Sequence, residues 1–427
     1  MSIAFIICLI IFFLSFALRI PVAFGMIISS ICYFLIKGDD LGIITEVMVF
    51  GFEDKFILLA IPLFILTARL MNSGGITNRI YRFADTLVGH MKGGVAHGNV
   101  VSSIIFSGMT GSALADASGP GLMAIKAMDD AKYERPFSCA VTAASATIGP
   151  IIPPSIPMII YSMLSGASVG SLFLGGVIPG LVMGAGIMAL IYFLAERRGY
   201  QKGEKYPLKA ILKAFKEAFL SLMTPVILLG GIYSGVFTPT EASAVAVLYA
   251  LFLLIIVYRQ FRFKDLVSVI NDVVENTGFL GFIIAGAFIF GHVIALEQLP
   301  AVIAEFLTNL NLNKWVLLLL VNVLFLILGC FLDTMVLLLI VIPIVLPAIS
   351  QAGIDPVHFG VVVVLNLMIG LITPPFGMLL FTLSGLTYTP LSPIIRETIP
   401  FIIMLILVLL ICTYIPEIVL FLPKILG

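Results

Sequence analysis

The chain is a succession of long apolar segments separated by short polar ones. Ten segments are long enough to cross a hydrocarbon layer about 30 Å thick: residues 3–18, 20–36, 56–71, 137–165, 172–195, 218–236, 241–258, 279–296, 357–388 and 394–413. Such long runs predict membrane-spanning helices, because a transmembrane barrel shows short strands of alternating polarity instead. The pattern therefore predicts an all-α polytopic membrane protein.

Four apolar stretches are interrupted near their middle. Stretches 95–125 and 315–349 contain GMTGS and GCFLD at their centres, and we expect each to fold as a re-entrant hairpin. The crossings 137–165 and 357–388 each contain a double proline. An interior proline costs a helix about 3 kcal/mol or more, so both crossings are predicted to be discontinuous helices.

These interruptions recur at one offset along the chain. The pattern I-G-x-I-x-P-P begins at Ile148 and again at Ile369, and 369 − 148 = 221. The hairpin breaks begin at Gly108 and Gly329, and 329 − 108 = 221 as well. An amphipathic segment precedes each hairpin, with Ile76, Ile80, Phe83 and Leu87 on one face of the first and Ile303, Phe306 and Leu310 on one face of the second. Two breaks preserved at one offset predict an internal repeat.

Charge predicts the orientation of the two halves. Only 11% of the 427 residues are charged, against about 25% in a soluble protein, and the net charge is zero, which excludes a general basic surface for nucleic acid. With an external N-terminus, all but four of the 23 Lys and Arg residues fall inside, as the positive-inside rule requires. Both termini are then outside, and the repeats are inverted. The Lys-rich amphipathic segment 208–220 is expected to lie flat on the cytoplasmic surface.

The breaks supply oxygen atoms that suit a small cation. In lipid, a helix break persists only where its freed carbonyls meet protein groups, water or an ion. We expect one Na⁺ site at each matched break. The first combines Ser103, Ser107 and the Gly108 carbonyl with Gly149 and Pro150; the second combines Gly329 with Gly370 and Thr373.

The same breaks create half-helix N-termini that attract anions. Neither hairpin tip and neither broken crossing contains Lys or Arg. Ser112 and Ser155 are placed to hydrogen-bond a carboxylate, and the 221-residue shift pairs Ser112 with Asp333. Asp116 and Asp333 are intramembrane carboxylates, which are functional candidates by default. Asp333 is suited to accept hydrogen bonds from substrate hydroxyls or to join an ion site.

Each assignment has a structural alternative. Serines in membrane helices commonly make interhelical contacts, proline pairs can mark simple kinks, and Asp333 can be a buried structural carboxylate. Among functions, a standalone Na⁺–carboxylate symporter or a Na⁺/H⁺ antiporter stays open. An intramembrane hydrolase is a remote alternative, because Ser112 has no histidine at a plausible position.

Three motifs together resemble the large membrane subunit of tripartite ATP-independent periplasmic (TRAP) transporters. They are FSGMTGSALADASGPG from Phe106, TIGPIIPPS from Thr147 and LITPPFG from Leu371, and the resemblance covers essentially the whole chain. It implies an elevator-type secondary transporter rather than an enzyme, driven by at least two Na⁺ ions and not by ATP. Its location would be the bacterial inner membrane, with both termini periplasmic and lipid around it.

The resemblance also implies partners and site residues. The partners are a periplasmic substrate-binding protein and a small four-helix membrane subunit, here expected as a separate chain because this one begins directly with its first helix. The implied Na⁺ ligands fall on the matched breaks, including Gly377 of the second motif, and the substrate site on Ser112, Ser155 and Asp333, with Asp116 nearby. A dicarboxylate would be repelled by Asp333, which favours a hydroxyl-rich monocarboxylate such as sialic acid over a C4-dicarboxylate.

The repeat also predicts how the chain is divided. Residues 1–71 form N-terminal scaffold helices, and residues 72–170 form the first transport half. Residues 171–296 form further scaffold with the amphipathic helix, residues 297–390 the second transport half, and residues 391–427 a C-terminal helix.

Overall fold

The computed structural model describes residues 2–53, 55–73, 75–200, 202–203, 205–259, 263–309 and 312–426. In these ranges the chain is built from twenty-one α-helices, some of them joined by short 3₁₀ or π turns. They are α1 Ile3–Ala17, α2 Val22–Lys37, α3 Gly42–Phe50, α4 Ala60–Met71, α5 Ile76–Val88, α6 Gly94–Thr110, α7 Ala113–Asp116, α8 Leu122–Asp130, α9 Arg135–Ala146, α10 Ile156–Ser165, α11 Val169–Arg197, α12 Leu208–Tyr233, α13 Pro239–Phe252, α14 Phe263–Leu296, α15 Leu299–Asn309, α16 Lys314–Gly329, α17 Thr334–Gln351, α18 Pro356–Gly370, α19 Met378–Thr387, α20 Leu391–Tyr414 and α21 Pro416–Leu426.

Six described helices are long and apolar enough to span a membrane: α11, α12, α13 with the π turn that extends it, α14, α17 and α20. Helices α4 and α5 add a seventh span if they count as one helix bent by 72°. The predicted α1 and α2 are present but shorter, at 15 and 16 residues. The predicted broken crossings are present as two short halves each, α9 with α10 and α18 with α19.

The structure corrects several predicted segments. The segment 208–220 does not form a separate helix lying flat, because it runs without a break into the following crossing as α12. Nothing in the sequence stops the helix between Phe215 and Leu220. The buried residues of its first half are Ala214 and Ala218, whereas its large apolar side chains Leu208, Leu212, Phe215 and Phe219 are exposed. Likewise, α14 begins sixteen residues before the predicted crossing at 279. Helices α3 and α21 were not predicted as separate elements.

The two amphipathic arms differ in how far they match the prediction. In α5, Ile76 and Ile80 are fully buried, and the Phe83 ring lies 5.6 Å from the Phe215 ring of α12. In α15, Phe306 is largely exposed, and Leu310 lies outside the described residues. The predicted apolar face therefore packs within the chain in the first half, whereas part of it faces outward in the second.

The helix boundaries reproduce the predicted repeat. Helix α9 begins at Arg135 and α18 at Pro356, and 356 − 135 = 221. Helix α11 begins at Val169 and α20 at Leu391, and 391 − 169 = 222. The hairpin helices α6 and α16 begin 220 residues apart, since 314 − 94 = 220. The equivalence thus extends from the hairpins through the broken helices to the long helix that follows each of them.

The broken helices form the centre of the bundle. Helix α9 packs on α20, and α18 packs on both α11 and α16. Helix α11 approaches the first break closely, because Gly176 lies where a Cβ would be 2.1 Å from the Ile151 carbonyl oxygen. Small residues permit such close approach of backbones in membrane helices. Helix α11 therefore supports the backbone of the break directly.

Two ionic clusters hold helix ends together. The Arg198 guanidinium binds Glu134 at 3.2 Å and Glu397 at 2.6 Å, and it lies 4.7 Å above the centre of the Phe137 ring. This one side chain therefore joins the end of α11 to the starts of α9 and α20. Arginine suits this position because its planar fork donates to two carboxylates at once.

At another helix end, Glu297 follows α14 and joins it to α1 and α2. Its carboxylate accepts hydrogen bonds from the Ser2 hydroxyl and backbone N–H and from the Tyr33 hydroxyl, and it lies 3.5 Å from the Lys37 ammonium. These contacts, led by the Ser2 hydroxyl, lower the pKa of Glu297 to about 2. The group therefore stays ionised at neutral pH and holds the first two helices against α14.

Replacing Arg198 should loosen the junction of α9, α11 and α20. Charge-assisted hydrogen bonds contribute roughly 1.5–3 kcal/mol, so Arg198→Ala is expected to lower the melting temperature of the detergent-solubilised protein by several degrees. Arg198→Lys should recover only part of the loss. The neighbouring exposed Arg197→Ala is the control, and equal melting temperatures for Arg198→Ala and Arg197→Ala would refute this role.

Candidate functional site

The tip of the first hairpin rests on the first helix break. Helix α6 ends at Thr110, Gly111 follows with φ +60°, and α7 begins after Ser112. A Cβ on Gly111 would lie 2.5 Å from the Pro154 carbonyl oxygen, so the backbone conformation and the close contact both require glycine here. Residues 147–155 between α9 and α10 are non-helical and buried.

The tip of the second hairpin rests on the second break in a similar way. A Cβ added to Gly370 would lie 2.9 Å from the Cα, carbonyl carbon and oxygen of Gly329. The two backbones therefore touch directly at the two glycines predicted to contribute to an ion site. Both proline pairs, Pro153-Pro154 and Pro374-Pro375, have cis peptide bonds.

Three predicted substrate residues are N-caps of the half-helices. Ser112 Oγ accepts from Ala115 N at 3.4 Å, Ser155 Oγ accepts from Met158 N at 3.2 Å, and Asp333 Oδ1 accepts from Met335 N at 2.8 Å. Each side chain thus satisfies one N–H of its own helix, while the first turn of a helix leaves about four such groups without helical partners. Capping and anion binding are therefore compatible at these positions.

The second half of each broken crossing packs against the hairpin of the other repeat. Helix α10, capped by Ser155, packs on α17, which is capped by Asp333. Helix α19 packs on α7 and on the π turn that continues it, after the Ser112 cap. The candidate substrate residues of one repeat consequently lie on helices that pack against elements of the other repeat. Ser155 is fully buried, whereas Ser112 and Asp333 are half-buried.

The first predicted ion site is lined by buried hydroxyl groups and backbone. Ser107 donates to the Ser103 carbonyl at 2.6 Å, and Ser103 donates to Ser145 Oγ on α9 at 3.2 Å. Ser155 donates to the Pro150 carbonyl at 2.5 Å, and Gly149 lies against the Ser112 backbone. Neutral oxygens beside unwound backbone fit a monovalent cation, since such carbonyls coordinate Na⁺ in discontinuous-helix transporters.

The second predicted ion site contains fewer hydroxyl groups. Thr373 Oγ1 donates to the Ile369 carbonyl at 2.7 Å, which leaves its oxygen lone pairs free to accept. The Gly370 carbonyl accepts from Thr373 N at 3.1 Å and retains a second lone pair. Gly377 has φ +45° and is the N-cap residue that precedes α19. These groups also fit a cation held mainly by backbone oxygens.

A polar contact between hairpin and broken helix was missed at the sequence level. In the first half, Asn99 Nδ2 donates to Thr142 Oγ1 at 2.8 Å. In the second half, Asn366 Nδ2 donates to the backbone and side-chain oxygens of Asn322 at 2.9 and 3.1 Å. The 221-residue offset pairs Asn366 with Ser145, which accepts from Ser103 of the first hairpin, so the offset marks Asn366 as a polar position facing the second hairpin.

Asp116 occupies a different environment from the three capping residues. It closes α7, four residues after Ser112, and it is only 1% exposed. Neither carboxylate oxygen has a hydrogen-bond partner among the described residues. In that same part of the chain, no group of three or more His, Cys, Asp or Glu residues could hold a metal ion.

Comparison with known proteins identifies relatives along nearly the whole chain. The family model "Tripartite ATP-independent periplasmic transporter, DctM component" matches residues 9–418. The chain is 45% identical over 405 residues to the sialic acid TRAP transporter large permease protein SiaM of Vibrio cholerae, covering 95% of each chain. It is 40% identical over 381 residues to the C4-dicarboxylate TRAP transporter large permease protein DctM of Pseudomonas aeruginosa, covering 89% of each.

Two further likenesses concern chain organisation and fold. The sialic acid TRAP transporter permease protein SiaT of Haemophilus influenzae is 39% identical over 425 residues, which cover 99% of this chain and 68% of that protein. The solved YdaH transporter of Alcanivorax borkumensis superposes with a TM-score of 0.59 at 14% identity, over 83% of this chain and 85% of that one. At this identity the YdaH likeness concerns the fold alone.

The contact between Gly329 and Gly370 should not tolerate a side chain. Gly370→Ala forces a Cβ against backbone and is expected to abolish transport and to lower the melting temperature. Gly385→Ala in α19 is the matched control, because nothing lies within 4 Å of a Cβ there. Unchanged transport in Gly370→Ala would show that the hairpin tip and the break are not in contact.

Proposed function

The chain belongs to the DctM family of large membrane components of TRAP transporters, and from this premise we propose that it imports an organic acid by Na⁺ symport. The observation that carries the proposal is the matched pair of hairpin tips seated on helix breaks. Each pairing brings together free backbone oxygens and a capped helix N-terminus. Such an arrangement can hold a cation beside an anion without any basic side chain.

We infer a division of labour within the site. One Na⁺ binds at the break of the first half, held by Ser103, Ser107, Gly108, Gly149 and Pro150. The other binds at the break of the second half, held by Gly329, Gly370, Thr373 and Gly377. When bound, the ions supply positive charge next to the half-helix N-termini. Ser112 then donates a hydrogen bond to the substrate carboxylate, and Ser155 does so once its hydroxyl leaves the Pro150 carbonyl, to which it donates in the structure.

The substrate class proposed is a hydroxyl-rich monocarboxylate, with sialic acid favoured and a C4-dicarboxylate as the competing candidate. Asp333 is acceptor-only when ionised, so it suits substrate hydroxyls and repels a second carboxylate. No Lys or Arg occurs in 137–165 or 357–388 to anchor that second carboxylate. SiaM and SiaT are named for sialic acid and support this preference, whereas the similarity to DctM keeps the dicarboxylate as the alternative.

The proposed transport cycle moves the hairpins and broken helices as one body. Because α11 and α20 pack on the broken helices, we assign them to the moving body together with α9, α10, α18 and α19. Helices α1, α2, α4 and α12–α14 then form the scaffold. The sequence-based division at residues 171 and 391 placed α11 and α20 outside the transport halves, so this grouping differs from it. The moving body and the scaffold would slide past each other where Gly108 of the first hairpin contacts Pro225 of α12.

The proposed partners follow from the family. A small membrane subunit would cover apolar scaffold surface, and a periplasmic binding protein would deliver the substrate. The membrane would be the bacterial inner membrane, with both chain termini on the periplasmic side. The exposed apolar side chains of α1 and α14 are compatible with lipid or with a second membrane chain.

Uptake into proteoliposomes should require all components. We expect radiolabelled sialic acid to accumulate only with an inward Na⁺ gradient, a small-subunit partner and a binding protein present together. Malate or succinate in excess should compete poorly. Uptake by the large chain alone would indicate a standalone symporter, and stronger competition by malate than by unlabelled sialic acid would identify a dicarboxylate carrier.

The charge of Asp333 should matter for substrate but not for capping. Asp333→Asn keeps a side-chain acceptor at the cap, yet it weakens charge-assisted bonds worth about 1.5–3 kcal/mol, which corresponds to roughly ten- to hundredfold in apparent affinity. Asp355→Asn is the matched control, because Asp355 caps α18 with the same 2.8 Å bond to the second following N–H. Equal substrate affinity in both variants would exclude Asp333 from substrate binding.

Ser112 and Ser155 can be tested in the same assay. Ser112→Ala removes both the cap and a proposed donor to the carboxylate, and it should raise the substrate concentration for half-maximal uptake about tenfold. The control is Ser168→Ala, since Ser168 caps α11 with a comparable bond to Ser171 N at 3.3 Å. A similar change in both variants would mean that Ser112 acts only as a cap.

A further inference from the structure

Asp116 is a buried carboxylate without a compensating charge among the described residues. It is 1% exposed, and both of its oxygens lack hydrogen-bond partners among the described residues. None of the ion pairs in the described part of the chain includes it. An isolated buried charge is strongly unfavourable unless an opposite charge or hydrogen bonds compensate it. An ionised Asp116 therefore requires a positive charge, and the described protein residues provide none.

The Ser103 side chain near Asp116 and the Asn99 side chain one turn before it on α6 carry oxygen atoms that can still accept. The Ser103 side chain lies beside the carboxyl group, although it donates its hydroxyl proton to Ser145. The hydroxyl oxygen of Ser103 is consequently left as an acceptor. Asn99, one turn earlier on α6, has a buried Oδ1 that also lacks a partner among the described residues. Acceptors without donors form a cation-binding environment, since each of them can be satisfied by the same positive ion.

The two halves of the repeat differ at this position. Adding the offset to Asp116 gives 116 + 221 = 337, which is Leu337 on α17, fully buried and apolar. The first half therefore places a carboxyl group beside its ion-binding hydroxyls, whereas the second half places a leucine at the equivalent point. A full charge in a site of low dielectric constant interacts far more strongly with a cation than neutral dipoles do.

We propose that Asp116 is the charge-compensating residue of the first-half cation site, so that the two Na⁺ sites are unequal. The carboxylate acts with Ser103 on α6, and it makes the first site the tighter one. The second site, built from neutral oxygens around Gly329, Gly370 and Thr373, fills at higher Na⁺ concentration. This inference rests on the proposed Na⁺ coupling and moves Asp116 from the substrate group to the ion group.

The test is a Na⁺ titration of thermal stability in the purified full chain, with choline replacing Na⁺ at constant ionic strength. The wild type should gain melting temperature as Na⁺ rises. In Asp116→Asn, the Na⁺ concentration for half of this gain should increase at least tenfold. Without Na⁺, the same variant should melt at or above the wild-type temperature, because an uncompensated buried charge has been removed.

The controls distinguish a cation role from a packing role. Asp130→Asn changes an exposed carboxylate at the end of α8 and should leave the titration unchanged. Asp116→Ser is a smaller neutral variant and should reproduce the weakened Na⁺ response. A titration of Asp116→Asn that superimposes on the wild type would overturn the proposal. A large loss of stability in Na⁺-free buffer, or failure of both variants to fold at saturating Na⁺, would also overturn it and indicate a structural role.

The outcomes also separate this inference from the proposed function. If the wild type shows no response to Na⁺, the Na⁺ coupling itself is contradicted, and the inference falls with it. If the wild type responds and the Asp116 variants respond identically, Na⁺ coupling stands, and only the inequality of the two sites is refuted.

Discussion

The structure depends on the requirement that backbone polar groups within a membrane find partners. An unsatisfied N–H or C=O group in hydrocarbon costs several kcal/mol, so a helix cannot simply stop at mid-depth. In this chain each break is covered by the tip of a re-entrant hairpin, through contacts such as Gly111 with Pro154 and Gly329 with Gly370. In the proposed mechanism the remaining free groups bind the ions and the substrate. The same backbone would then serve both structural satisfaction and ligand binding.

The same constraint explains why the two repeats are interlocked. A half-helix that ends at mid-depth buries its apolar surface only by packing on other helices, and here α10 packs on α17 while α19 packs on α7 and its π turn. The long helices α11 and α20 then enclose the broken pair, with Arg198 fixing their ends to α9. Moving the hairpin or broken helix of one repeat alone would therefore break its packing against the other repeat. This coupling supports movement of the hairpins and broken helices as a single body.

Much of this architecture could be predicted because its signals are strong and local. Double prolines and clustered glycines disrupt helices wherever they occur, so the breaks and their offset could be predicted from the sequence alone. The full extents of α12 and α14 could not be predicted, because an amphipathic stretch can continue into an apolar crossing when no breaking residue separates them. The capping bonds of Ser112, Ser155 and Asp333 are local, but the packing of their helices on the other repeat and the contact between Asn322 and Asn366 depend on tertiary proximity. Sequence spacing located Ser112, Ser155 and Asp333 but not Asn322 or Asn366, and it could not assign the long-range contacts of either set.

The central claim is that the two hairpin tips line one site that opens alternately to the two sides of the membrane. Single cysteines at Leu114 and Phe331, the exposed residues next to each hairpin break, can report this directly after the five native cysteines are replaced. Membrane-impermeant maleimide would be applied from either side of oriented vesicles, with and without Na⁺ and sialic acid. We expect maleimide to label the cysteines at both positions from both sides of the membrane. Adding Na⁺ and sialic acid should change the ratio of the labelling rates from the two sides. Labelling of both positions from one side only, under every condition, would contradict it.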